Sequence, residues 1–171
     1  MTTFLRSFSV FVNVIFENPI TIKAMFETAC KNGDFYLVDC FLMFEIDLDP
    51  EDFVQSLYYA SMFNRVSIVD RLMNDTTNRV DPAGRKNAAI VIASTFGNLA
   101  VVDRLLNDSR NRVDPSARKN AAIHWASIGN HHEVVDRLLQ DPRVDSSRIY
   151  VQEKQDQVDY RYKIRKMVVG Q

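Results

Sequence analysis

Three blocks of sequence return at one fixed offset, and that offset restricts the fold more than any other feature of the chain. Arg79-Val80-Asp81-Pro82 recurs as Arg112-Val113-Asp114-Pro115, Arg85-Lys86-Asn87-Ala88-Ala89-Ile90 as Arg118-Lys119-Asn120-Ala121-Ala122-Ile123, and Val101-Val102-Asp103-Arg104-Leu105-Leu106 as Val134-Val135-Asp136-Arg137-Leu138-Leu139, each 33 residues on. A period of about 20 to 50 residues marks a stacked array, in which each unit buries its apolar side against the next. Anchored on the alanine before Ser94 and Ser127, the pattern extends back to Ala60 and Ala29, at spacings of 31, 33 and 33. Four units are therefore expected.

From that alanine to the last large apolar residue the distance is always 13: Ala29 to Leu42, Ala60 to Met73, Ala93 to Leu106, Ala126 to Leu139. The gap from there to the next landmark, Leu48, Val80, Val113 or Val144, varies, which confines length drift to one surface loop. Within the constant block the apolar residues stand at i, i+1, i+4 and i+5, as in Leu37, Val38, Phe41 and Leu42. That spacing makes one stripe at 3.6 residues per turn and alternates poorly as a strand, so the segment is predicted helical. A first helix precedes it, carrying Phe26, Leu57, Ile90 and Ile123. Between the helices stand Gly33, Asn64, Gly97 and Asn130, the residue types that enter the left-handed region at least cost. The predicted unit is helix, tight turn, helix, loop, and the predicted fold is an all-α helix-turn-helix repeat solenoid with terminal caps.

This unit resembles the ankyrin repeat, whose pattern T-P-L-H-x-A-A-x-x-G-H-x-x-V-V-x-L-L-L runs over 33 residues. The fourth unit matches best: Ile123-His124-Trp125-Ala126-Ser127 stands for L-H-x-A-A, Asn130-His131 for G-H and Val134-Val135 for V-V. The chain departs from the pattern in Ala121-Ala122 for T-P and in Val-Asp-Pro in the loop. The resemblance covers roughly residues 22 to 145, and its departures resemble the divergent ankyrin arrays of large DNA viruses and protists. It divides the chain into an N-terminal helical cap or half-repeat over 1–19, units at about 20–47, 48–79, 80–112 and 113–145, and a C-terminal cap or tail over 146–171.

The chain's 171 residues are 46% hydrophobic with a formal net charge of −1, an ordinary balance for a globular protein that needs a single domain. Phe4, Leu5, Phe8, Phe11, Val12, Ile15 and Phe16 fall on one helical stripe ended by Pro19, as expected of a half-repeat covering the first unit. The run is short for a membrane span, and Asn13 with Glu17-Asn18-Pro19 argues against a signal peptide. The rival reading is a divergent F-box, which would make the chain an adaptor linking a bound target to a ubiquitin ligase, although the usual opening Leu-Pro is absent. After Asp145 the repeat pattern fails. Tyr160, Ile164, Met167 and Val168 suit a covering helix, whereas Val158, Tyr160, Tyr162 and Ile164 alternate as a strand would. Cys30 and Cys40 stand where other units have Ser61 and Arg71, which points to free thiols in a reducing compartment, hence an intracellular, cytoplasmic protein, in the host cytoplasm if viral.

No cofactor, metal or catalytic set is expected. His124 and His131 occupy the two positions where the resemblance implies backbone hydrogen bonding, His132 is expected to face solvent, and no thiol or carboxylate stands at complementary ligand spacing. The Asp-Arg pairs at Asp70-Arg71, Asp103-Arg104 and Asp136-Arg137 are adjacent and do not face each other on a helix, so they are read as decoration of its polar side. Trp125 shares a repeat position with Thr28, Tyr59 and Ile92 and is expected in the core against the C-terminal cap.

The resemblance places partner contacts at the loop tip leading into the first helix (Glu51, Asp52, Phe53; Gly84, Arg85, Lys86; Ala117, Arg118, Lys119) and just before the turn residue (Lys31-Asn32, Met62-Phe63, Thr95-Phe96, Ile128-Gly129). Phe63 and Phe96 are the expected apolar anchors. Arg85, Lys86, Arg118 and Lys119, with Arg79, Arg110, Arg112 and Arg143 nearby, form the expected basic stripe. The resulting expectation is a monomeric, non-catalytic scaffold that binds a protein partner on its concave face and loop tips, the stripe steering an acidic one. The alternative is binding of nucleic acid or another polyanion through the same stripe, disfavoured by the net charge and by the lack of interleaved aromatics.

Overall fold

The computed structural model describes residues 19–44, 48–77, 79–110 and 112–144; the segments read above as an N-terminal cap or F-box and as a C-terminal cap lie outside them. Among the described residues there are eight helices and no strand: α1 (Pro19–Asn32), α2 (Phe35–Met43), α3 (Pro50–Met62), α4 (Val66–Met73), α5 (Gly84–Thr95), α6 (Leu99–Leu106), α7 (Ala117–Ile128) and α8 (His132–Leu139). The odd-numbered helices pack side by side in one row and the even-numbered in a second, each first helix also packing on its own second helix.

Each helix pair is closed where the sequence requires it. Gly33, Asn64, Gly97 and Asn130 all have positive φ, between 56° and 88°. In the third unit the N–H of Asn98, just past the turn, returns 2.9 Å to the carbonyl of Ala93, satisfying an acceptor that the helix end leaves open. Asp34 caps α2, its Oδ1 accepting the Leu37 N–H at 3.1 Å. The apolar stripes meet as predicted: Phe26, Leu57, Ile90 and Ile123 from the first helices and Val38, Val69, Val102 and Val135 from the second are buried. Three aromatics close the core between the first and second units, with the Phe26 ring 5.1 Å from Phe41 and 5.4 Å from Phe53.

Three sets of groups fasten the stack. The residue after the turn reaches back to the end of the preceding first helix. Arg65 Nε donates to Lys31 O at 2.9 Å, Asn98 Nδ2 to Ser61 O at 2.8 Å and Met62 O at 3.0 Å, and His131 Nε2 to Thr95 O at 3.0 Å. In the loop, Arg79 donates to Leu42 O of the preceding unit at 2.9 Å, while Arg112 and Arg143 donate to Val80 O and Val113 O, at the start of their own units, at 3.0 and 2.7 Å. Their guanidiniums are held by Asp75, Asp108 and Asp141 at 3.3, 3.0 and 2.7 Å.

The third set corrects the reading of the Asp-Arg pairs as decoration. Arg71 pairs with Asp39 at 2.6 Å, Arg104 with Asp70 at 2.5 Å and Arg137 with Asp103 at 2.5 Å. Neighbours in sequence point apart on a helix, but stacking at a fixed period brings the Arg of one unit beside the Asp of the unit before.

Candidate functional site

The surface left over by this fastening is defined by what the first helices lack. From Phe53 to Asn64, from Asn87 to Asn98 and from Asn120 to Asn130 there is no Asp, Glu, Lys or Arg. Every ion pair between second helices, by contrast, uses such residues. The first-helix row of units two to four is therefore free of Asp, Glu, Lys and Arg from these positions to the turn, and its charged residues stand only at the opposite, N-terminal end.

Along its turn end stand large apolar side chains that the core does not take up. Phe63 is 45% exposed, Phe96 49%, Trp125 45% and Ile128 39%. Tyr59 and Ile92, one turn earlier, are half-buried. The exposure has a local cause. Phe63 and Phe96 are the last residues before the left-handed turn, and their N–H groups close α3 and α5 on Tyr59 O and Ile92 O at 3.0 and 3.1 Å. The chain then reverses, so their side chains cannot turn under the next helix. In the fourth unit that position is Gly129, and Ile128 and Trp125 supply the apolar surface instead. Because α3, α5 and α7 pack in order, these residues form one strip across three units.

Trp125 thus departs from expectation: it stands on the surface and not in the core, with the His124 ring 5.4 Å away. Thr28 at the equivalent position is exposed and Tyr59 and Ile92 are half-exposed, so the register position itself lies at the surface of the row. Tyr59 also carries the Lys31 ammonium, 3.8 Å from its ring centroid.

At the other end of the same helices lie the basic residues. Arg85, Lys86 and Asn87, and again Arg118, Lys119 and Asn120, have φ between 50° and 62° and ψ between 36° and 53°. Three successive left-handed residues form one turn of reversed hand, closed by Asn87 N to Ala83 O at 2.8 Å and Asn120 N to Ser116 O at 2.9 Å. Asn87 is buried, and its Oδ1 accepts the Asp114 N–H of the next unit at 2.7 Å. The turn thereby lifts the preceding Arg and Lys out of the packing, and all four are exposed.

They differ in what holds them. Arg85 donates to Glu51 and Gln55, and Arg118 to the Arg85 carbonyl, while Lys86 and Lys119 form no ion pair among the described residues. Arg79, Arg110, Arg112 and Arg143 do not extend the stripe as expected. Their guanidiniums turn toward backbone carbonyls, Arg79 and Arg110 onto Leu42 O and Met73 O of the preceding unit, Arg112 and Arg143 onto Val80 O and Val113 O of their own, and toward the loop carboxylates. Asp52 and Phe53 are likewise not loop-tip contacts. The second unit enters α3 through Pro50 without a reversed turn, so both side chains are buried, Asp52 against Lys23 and Phe53 beneath the Arg79 guanidinium.

Burial pushes the Cys30 thiol up to about 12, with the Ser56 hydroxyl opposing, and burial also raises Cys40; neither is a poised nucleophile. A groove of about 340 Å³ on the first unit, between Met25, Thr28 and Leu37, has Asp34 as its one titratable group, and that carboxylate caps α2. No group of three or more His, Cys, Asp or Glu among the described residues could hold a metal ion, and no described helix is long and apolar enough to cross a membrane.

Comparison with protein families matches a model of three copies of the ankyrin repeat to residues 57–148. No curated protein and no solved structure matches the chain.

Proposed function

The chain belongs to the ankyrin-repeat family, whose repeats generally mediate protein–protein interaction and are typically non-catalytic, and from that premise we propose that it is a non-catalytic scaffold presenting its first-helix row, the concave face expected of such an array, to a partner protein. One observation carries the reading: the turn-side part of the row has no Asp, Glu, Lys or Arg and exposes Phe63, Phe96, Trp125 and Ile128, none of them needed by the core. Large aromatic side chains on a surface are where interface energy concentrates. The exposed Arg85, Lys86, Arg118 and Lys119 at the far end of the same helices favour a partner that brings negative charge to that side.

A photo-crosslinking amino acid placed at Phe96, in the full chain expressed in its native cell, tests this. The expected result is a protein adduct at Phe96 that is absent when the same group is placed at Ala100, exposed on the second-helix row. Equal capture at both positions, or none at Phe96, would remove the first-helix row as the partner surface.

A further inference from the structure

The strip has a repeat of its own, and that repeat restricts what can lie on it. Packed helices stand about 8–10 Å apart, so the anchors contributed by α3, α5 and α7 recur at about that interval. A helix rises about 1.5 Å per residue and brings the same face round every seven residues, after about 10.5 Å. A helix laid along the strip would set one apolar residue of each heptad against each unit. The basic residues lie to one side of that path. The right-handed part of α5 begins at Ala88, eight residues and about 12 Å before Phe96 along the helix axis, with Lys86 in the reversed turn beyond it. A helix about 10–12 Å across, with the Lys stem reaching toward it, covers that distance with one flank.

Resting on the protein-binding reading above, we infer that the partner presents an amphipathic helix with apolar residues at heptad spacing and carboxylates along the flank that faces Lys86, Arg118 and Lys119. The turn-side part of the row, free of Asp, Glu, Lys and Arg, accepts the apolar face without leaving a buried charge unpaired, whose desolvation would otherwise oppose docking. The positive flank fixes the orientation. A single-stranded nucleic acid fits less well. A base stacked on Phe96 has its own phosphate one nucleotide away, whereas the cationic groups stand beyond the other end of the helix, about 12 Å or more off.

Trp125 is the only tryptophan in the chain and sits in the strip, so its emission reports occupancy directly. The probes are three synthetic helices of about 20 residues without Trp or Tyr: leucines at heptad spacing with a Glu flank, the same with a Lys flank, and the Glu-flanked peptide with its leucines respaced. The Glu-flanked helix is expected to shift Trp125 emission to the blue, to bind about tenfold tighter than the Lys-flanked one at low salt, with a gap that closes as salt rises, and to lose affinity in Phe96→Ala and in Lys86→Glu/Lys119→Glu. Equal binding of all three, or no shift with any, would overturn the inference. So would a comparable shift with oligo(dT), which would assign the strip to nucleic acid, or a concentration-dependent shift of the protein alone, which would assign it to a second copy of the chain. If the Phe96 crosslink captures a protein while every peptide fails, this inference falls and the scaffold reading stands; if the crosslink also fails, both fall.

Discussion

Single residues in this chain divide by whether stacking needs them, and the sequence alone separates the two kinds imperfectly. Ile90, Leu105 and Ile123 repeat in type and are buried. Trp125 repeats only in position, and its size suggests a core role that its register denies. Substitution should distinguish them: Leu105→Ala is expected to cost about 2–5 kcal/mol, and Trp125→Ala about 0.5 kcal/mol or less, as at other exposed sites. Denaturant midpoints measure both, and a large loss for Trp125→Ala would return that side chain to the core.

The loop carboxylates make a second residue-scale prediction. Burial pushes Asp75 and Asp108 up, but the Arg79 and Arg112 guanidiniums and N–H groups outweigh it, with Thr77 also donating to Asp75; at Asp141 the Arg143 guanidinium leads and burial opposes. All three end below the usual carboxylate range. A folded pKa below the unfolded one, about 3.9, gives stability that is fully present above that value and is lost as pH falls through the folded pKa. Denaturant stability should therefore fall below about pH 4, and Asp75→Asn/Asp108→Asn should be less stable at pH 7 and lose less on acidification. Parallel acid profiles for the two proteins would contradict this.

At the scale of elements, helix type and order were legible because apolar spacing and turn residues are local signals. The entry to α5 and α7 was not. Arg85-Lys86 and Arg118-Lys119 read as residues leading into a helix, yet each lies in a left-handed turn that hydrophobic spacing does not encode. The signal that could have found it is the repeated Asn87 and Asn120, a type that tolerates positive φ and whose buried amide in the third unit serves the next one. Such a conformation costs an L-residue about 1–2 kcal/mol and a glycine far less. Lys119→Gly should therefore raise stability, and Lys119→Val should lower it, each by about 1 kcal/mol. The reverse order in denaturation midpoints would mean that the turn is not left-handed in solution.

At the scale of the whole molecule, the period predicted the stack but not its fastenings. Arg65, Asn98 and His131 do one job with three side chains, so no repeated letter marks them, and the link from Arg104 to Asp70 joins residues 34 apart. The first unit carries Asp34 and Cys40 at the two positions from which later units reach back, in place of the Arg, Asn or His and the Arg found there in units two to four. The apolar strip was partly legible: Phe63, Phe96 and Ile128 follow from family position, whereas Trp125 needed the register of α7.

The stack itself is tested most directly by excising residues 81–113, one full period, which joins Val80 to Asp114 and regenerates the Arg-Val-Asp-Pro loop. Each remaining unit then meets a neighbour with the same fastening groups, since stability in such arrays is a sum of units and nearest-neighbour interfaces. Denaturant unfolding followed by helical circular dichroism should show a shorter chain that still unfolds cooperatively, at a lower midpoint. A chain left without helix or without a cooperative transition would contradict a molecule built from interchangeable units set side by side.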